Sequence, residues 1–183
     1  MIRDTALTAS GLLSKKVGGP SVMPYQPDNI WDSPYSGEAW RVATGEDRYR
    51  RGLYVYWKRT APFPSFMAFD STSRETCTVR RTRTNTPLQA LALLNDKAYM
   101  ACAAALAASQ VPVEAAFRAC TGRKPSSAES SRLKSLLVSL RAKYRKDPEA
   151  ARKLVASAAT AEGPKAALKR RTPEDAAAWI MLC

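Results

Sequence analysis

Between residues 87 and 183 the apolar positions return every three or four residues, the period of helices with one buried face. Thr86-Pro87-Leu88-Gln89 opens the first of these helices. Thr86 stands as N-cap, Pro87 at N1 and Gln89 at N3, a capping box. The apolar body that follows predicts a helix to about Ser109, with Asn95, Asp96 and Lys97 as one polar turn. Val111-Pro112 makes a turn, and a second helix is predicted over Val113–Thr121 with Gly122 as its left-handed stop. Ser126 and Glu129 form another capping box. After it Leu133, Leu136, Leu137, Leu140 and Tyr144 mark one stripe, with Arg and Lys opposite. Asp147-Pro148-Glu149 opens a helix to about residue 160, Gly163-Pro164 reads as a linker, and Thr172-Pro173-Glu174-Asp175 opens a last helix. That helix ends on apolar Trp179-Ile180-Met181-Leu182 with no closing Gly or polar tail, which predicts a chain that continues.

The front of the chain follows another pattern. Ile2, Ala6, Ala9 and Leu13 share helical spacing and predict a short helix over Ile2–Leu13. Pro20, Pro24, Pro27 and Pro34 make residues 20–47 a loop, in which Tyr25, Trp31, Tyr35 and Trp40 must bury area if it is ordered. Leu53–Arg59 is dense in aromatic and β-branched residues and predicts a strand. Thr76–Arg81 is the best partner for it within the chain. The fold class expected is therefore mainly α: a bundle-like helical C-terminal half behind an irregular, aromatic-rich N-terminal part with a short β element. As a single partial domain it divides into residues 1–72, a basic connector over 73–86 and a helical part over 87–183.

Composition sharpens this division. Residues 1–72 hold 11 of the 15 aromatic residues and six of the eight glycines. The net charge of +13 is concentrated behind them, with +2 in residues 1–72, +5 in 73–124 and +6 in 125–183, so an electrostatic partner meets the rear segments first. The absence of His excludes Ser-His-Asp and Cys-His catalysis, His-ligated zinc and a His haem ligand. Cys77, Cys102, Cys120 and Cys183 have no CxxC spacing, so neither a zinc ribbon nor a thioredoxin-type motif is indicated, and no metal or cofactor is called for. The longest uninterrupted apolar run, Ala98–Ala108, is well short of the ~20 residues a spanning helix needs. No signal peptide is visible, which leaves a cytosolic protein, a mature form or a piece of a longer chain.

Four groups of residues offer chemistry. Arg80, Arg81 and Arg83, with Thr84, Asn85 and Thr86 leading into the helix at Pro87, form a candidate binding point for phosphate, sulfate or carboxylate. The alternative is that Thr86 only caps and the arginines pair with Glu75, Asp70 or acids of the last helix. Trp31, Trp40, Tyr54, Tyr56 and Trp57 offer flat faces for sugars or bases, or else are the small core of their own loop. Asp28, Asp32, Glu46, Asp47 and Asp70 offer carboxylates for acid–base work, or else are solvated and salt-bridged. Cys102 and Cys120 lie symmetrically about the turn at residue 111, so an oxidising compartment would allow a disulfide between them.

Longer stretches carry a resemblance. They are Ile2-Arg3-Asp4, Ser10-Gly11-Leu12-Leu13, Gly18-Gly19-Pro20-Ser21-Val22, Tyr49-Arg50-Arg51-Gly52-Leu53-Tyr54, Trp57-Lys58-Arg59-Thr60, Phe69-Asp70 and, most specifically, Arg83-Thr84-Asn85-Thr86-Pro87-Leu88-Gln89-Ala90-Leu91 with Leu93-Leu94-Asn95-Asp96. Together these resemble the C-terminal domain of unknown function of large secreted planctomycete proteins, which often also carry a planctomycete-type cytochrome c module. The resemblance covers nearly the whole chain and implies a fragment of an exported protein, linked to electron transfer or polysaccharide breakdown. Its implied partner is the remainder of its own longer polypeptide. It supplies no catalytic residues.

Three functions fit: an interaction or accessory module, a binding module for sulfated or uronic polysaccharide, and a carboxylate-based hydrolase completed by upstream residues. Specific nucleic-acid recognition is disfavoured. No helix-turn-helix, zinc finger or RNA-binding signature is present, and the bases of Arg132–Lys146 lie opposite a leucine stripe, as a solvated helix face would.

Overall fold

A computed structural model of the chain describes residues 2–27, 30, 39–159, 168 and 170–183. The protein is mainly helical. Its α-helices among these residues are α1 (Ile2–Ala9), α2 (Pro64–Ala68), α3 (Pro87–Asn95), α4 (Lys97–Ala108), α5 (Val113–Thr121), α6 (Ser127–Lys146), α7 (Pro148–Ala158) and α8 (Pro173–Leu182). No single helix among the described residues is long and apolar enough to cross a membrane. The chain forms two compact units. One comprises Met1–Asp4 and Leu13–Leu93, the other Thr5–Leu12 and Leu94–Cys183.

The second unit is a helical bundle whose caps are those the residue types dictate. Ser126 accepts from the Glu129 amide while the Glu129 carboxylate accepts from the Ser126 amide, closing the capping box that starts α6. The Asp147 carboxylate accepts from the Ala150 amide at the start of α7, and the Thr172 hydroxyl accepts from the Asp175 amide at the start of α8. Gly122 closes α5 at φ 76°, a conformation that costs a residue with a Cβ. α8 packs against α4, α6 and α7. The contacts are made largely by alanines (Ala104, Ala107, Ala151, Ala158, Ala176, Ala177 and Ala178, all buried), with Leu137, Tyr144, Trp179 and Ile180 among them. Small side chains let helix backbones approach closely, so the Ala-rich composition of the rear half is a packing requirement of this core.

Three helix expectations are corrected here. The helix predicted from Pro87 to Ser109 is two helices. Asp96 is extended (φ −67°, ψ 130°) and its carboxylate accepts from the Ala98 amide at 2.7 Å, so the residue read as part of a polar turn is the N-cap of α4. In α6 Leu137 is buried while Leu136 is 45% exposed, because adjacent residues sit about 100° apart on a helix and only one of them can face the core. The first helix stops at Ala9. The Leu12 amide reaches the Leu7 carbonyl and the Gly11 amide the Thr8 carbonyl, with Gly11 at φ 73°, the Schellman ending. Its buried positions are Arg3 and Leu7, and Ile2 is exposed. The linker at Gly163-Pro164 lies outside the described residues.

The first unit is held by aromatic stacking and buried guanidinium groups. Trp40 stacks on Phe63, Phe63 meets Phe66 edge-on, and Phe66 stacks on Trp57. Arg50 is 1% exposed and lies 3.8 Å from the Tyr54 ring centroid. Its guanidinium donates to the carbonyls of Pro20 (2.9 Å) and Gly18. Arg3, also buried, donates to the carbonyls of Arg50 at 2.6 Å and Arg48 at 2.8 Å. The strand expected over Leu53–Arg59 does not form. Gly52–Tyr54 is a 3-10 turn, and the described residues carry one isolated parallel bridge, Val22 to Val55. Thr76–Arg81 lies exposed and forms no β-bridge among the described residues. The reason is that Tyr54 is taken by Arg50 and by the Gly18 amide, and Trp57 by Phe66, so tertiary contacts override the β-propensity of these residues.

Candidate functional site

The first unit continues from α2 into a turn at Phe69-Asp70 and then a long exposed segment, residues 73–85. Asp70 sits at φ 57°, a left-handed conformation that Asp tolerates better than most residues. Its carboxylate takes donors from Thr84 and Gln89. It accepts from the Thr84 amide at 2.7 Å and from the Thr84 hydroxyl at 2.8 and 2.9 Å, and Gln89 Nε2 donates to it at 3.4 Å. Thr84's two donors chiefly, with Gln89 and Arg81 adding and burial opposing, hold the Asp70 carboxyl below the usual carboxylate range. Gln89 also closes the predicted cap of α3. Its Oε1 accepts from the Thr86 amide and its own amide donates to Thr86 Oγ1, both at 3.4 Å.

Within the segment fastened this way, Val79, Arg80, Arg81, Thr82 and Arg83 line a surface cleft of about 700 Å³. Arg81 Nη2 donates to the Phe69 carbonyl at 3.3 Å. Neither Arg80 nor Arg83 forms an ion pair or side-chain hydrogen bond among the described residues, and Asn85 forms no side-chain bond there either. The six residues of the expected anion point thus divide by task. The three arginines line the cleft, Thr84 is spent on Asp70, Thr86 caps α3, and Asn85 faces solvent.

The other candidates are dispersed. Trp40 and Trp57 stack within the unit and Tyr54 lies under Arg50, while Trp31 lies outside the described residues. Glu46 accepts from the Ser14 hydroxyl, Asp47 pairs with Lys16 at 3.6 Å, and Asp28 and Asp32 lie outside the described residues. No group of three potential metal ligands occurs among the described residues. Cys102 and Cys120 are not joined by a disulfide in this structure. Cys102 is on the buried face of α4 and Cys120 is exposed near the end of α5.

The stretch running from Phe69-Asp70 to Gln89 lies inside a longer region that matches a known family. The family model for PSD1, a protein of unknown function (DUF1553), matches residues 1–137. The chain belongs to the PSD1 family. The match takes in the Asp70 turn, the cleft and the start of α3, and ends within α6. Neither curated proteins nor solved structures give a match to this PSD1 chain.

Sequence reasoning missed the link between Asp70 and Thr84. The two are 14 residues apart, and Asp70 reads from the sequence as a candidate acid–base carboxylate or a partner of the arginines, not as an acceptor for Thr84. The available signal was Gln89. At N3 it was expected to turn back on Thr86, and its amide group had one further end to place.

Proposed function

We propose that this PSD1 chain is an accessory binding module of a larger exported protein, and that its Arg80–Arg83 segment takes an anionic polymer, sulfated or uronic polysaccharide in the first instance. The observation that carries this reading is the cleft lined by Arg80, Arg81 and Arg83, none of which forms an ion pair among the described residues. Guanidinium is planar, always charged and weakly hydrated, so it suits bidentate contact with sulfate or carboxylate. The residues around the cleft are exposed, which admits an extended chain rather than a small enclosed ligand. The overall charge of +13 adds attraction at longer range.

The test is calorimetric titration of the chain with a heparin-derived hexasaccharide and with an oligouronate. The Arg80→Ala, Arg81→Ala, Arg83→Ala triple variant is expected to lose at least about tenfold in affinity, since each charge-assisted contact is worth roughly 1.5 kcal/mol or more. Equal affinity of the two proteins refutes the reading.

A further inference from the structure

The geometry points to Asp70 as the residue that positions the arginine segment for its anion, an inference that rests on the binding role given above to Arg80, Arg81 and Arg83. No core packing fixes these arginines, because residues 79–83 are all exposed. Two polar anchors hold them instead, both at the turn after α2. The Phe69 carbonyl accepts from Arg81, and the Asp70 carboxylate takes both donors of Thr84. These anchors fall inside and just after the arginine run, so together they set the path of the chain between Arg81 and Thr84. Ordering an exposed backbone costs about 1–2 kcal/mol per residue, and without such anchors that cost falls on the binding step. Gln89 ties the second anchor to α3 by donating to Thr84 Oγ1 at 3.0 Å and to Asp70, so the segment is referenced to a helix.

The role can be separated from simple charge by its sign. A carboxylate fastened to the arginine segment repels an anion, and on Coulombic grounds its removal tightens polyanion binding. If Asp70 acts by positioning, its removal weakens binding instead. Asp70→Asn is the suitable change, because Asn also tolerates the left-handed backbone and keeps the shape while losing the charge and one of the two oxygens that Thr84's donors reach. Should the binding-ready arrangement fall to about a tenth of the population, the apparent affinity falls about tenfold. Glu75→Gln is the control. It removes the same charge from an exposed position in the same segment whose carboxylate makes no bond among the described residues.

The experiment titrates the heparin-derived hexasaccharide into the wild type, Asp70→Asn, Glu75→Gln and the triple arginine variant, each checked for native far-UV circular dichroism. The expected result is weakening of about tenfold for Asp70→Asn with unchanged or tighter binding for Glu75→Gln. If Asp70→Asn does not fold, Thr84→Val, which removes one of the two donors, is expected to weaken binding in the same direction. Binding by Asp70→Asn as tight as the wild type, or tighter, overturns the positioning role and leaves the arginine reading standing if the triple variant has lost affinity. A wild type that does not bind, or a triple variant that binds like it, removes the arginine reading itself and the positioning role with it.

Discussion

Arg50 is the side chain on which the first unit's loops converge, and replacing it gives a result whose sign depends on which term dominates. The residue is 1% exposed. It donates to two carbonyls, Pro20 at 2.9 Å and Gly18, and lies 3.8 Å from the Tyr54 ring centroid. Hydrogen bonds from a charged donor contribute about 1.5–3 kcal/mol each, and a desolvated cation–π contact about 2 kcal/mol. Against these stands the desolvation of the buried cation, several kcal/mol. Arg50→Met fills much of the same volume and removes the desolvation cost, but it leaves two carbonyls without their donor. An orphaned buried acceptor costs about 1–3 kcal/mol, so the expected net loss is about 3 kcal/mol. Arg50→Lys keeps the charge but not the fork that spans two carbonyls, and about 2 kcal/mol is expected to go. Urea unfolding followed by tryptophan fluorescence measures both, since Trp40 and Trp57 lie in this unit's stack. An Arg50→Met chain as stable as the wild type would falsify the argument, because desolvation would then outweigh every bond the guanidinium makes.

Two further expectations concern the second unit. Asp175 accepts from Arg141 Nε at 2.7 Å and from Arg171 Nη1 at 2.6 Å; burial pushes its carboxyl up, but these two partners outweigh it and hold the group below its ordinary value. A carboxyl lowered by folding stabilises the native state fully above its unfolded pKa of about 3.9 and loses that contribution as pH falls through the folded value. Asp175→Asn is therefore expected to cost about 1–2 kcal/mol at neutral pH, between exposed and buried pairs, with the gap closing below about pH 4 in urea melts at a series of pH values. A gap that stays constant down to acid unfolding contradicts the pairing. Among the thiols, Cys77 and Cys120 are exposed, Cys102 is buried, and burial, with neighbouring Cys120 adding, pushes the Cys183 thiol up to about 12. Iodoacetamide on the native chain is expected to label Cys77 and Cys120 first and Cys102 and Cys183 only after denaturation. Peptide mapping that finds Cys183 labelled early, or a Cys102–Cys120 linked peptide, overturns this.

The helix starts of the rear half were legible because a cap is a local event. The bonds of Ser126 with Glu129, and of Thr172 with the Asp175 amide, join residues three apart whose types specify them. Asp96 was hidden by its surroundings. The apolar pattern runs on past it, while in the structure Asp96 is extended and its carboxylate accepts from the Ala98 amide where the helix breaks. Leu53–Arg59 misled for the opposite reason. Its aromatic residues suit a pleated surface in the abstract, but here they serve a buried arginine and the stack around Phe66. Arg3 turned the face of α1 around, since a guanidinium that finds carbonyls at residues 48 and 50 can be buried where hydropathy alone would place Ile2. At the candidate site the arginines and the α3 cap could be read from neighbouring residues. The Asp70 anchor could not, since it depends on a turn bringing residue 70 to residue 84.

The central claim is that anion affinity resides at Arg80–Arg83 and not in the general positive charge of the chain. Many other bases would bind a polyanion weakly, and 12 of them lie in residues 125–183, so a single dissociation constant does not separate the two. The slope of log Kd against log salt concentration does, because each cation that displaces a counterion contributes a little under one to it. Measured with the heparin-derived hexasaccharide, the slope of the triple arginine variant is predicted to be smaller than that of the wild type by about two. Parallel lines for the two proteins would contradict the account.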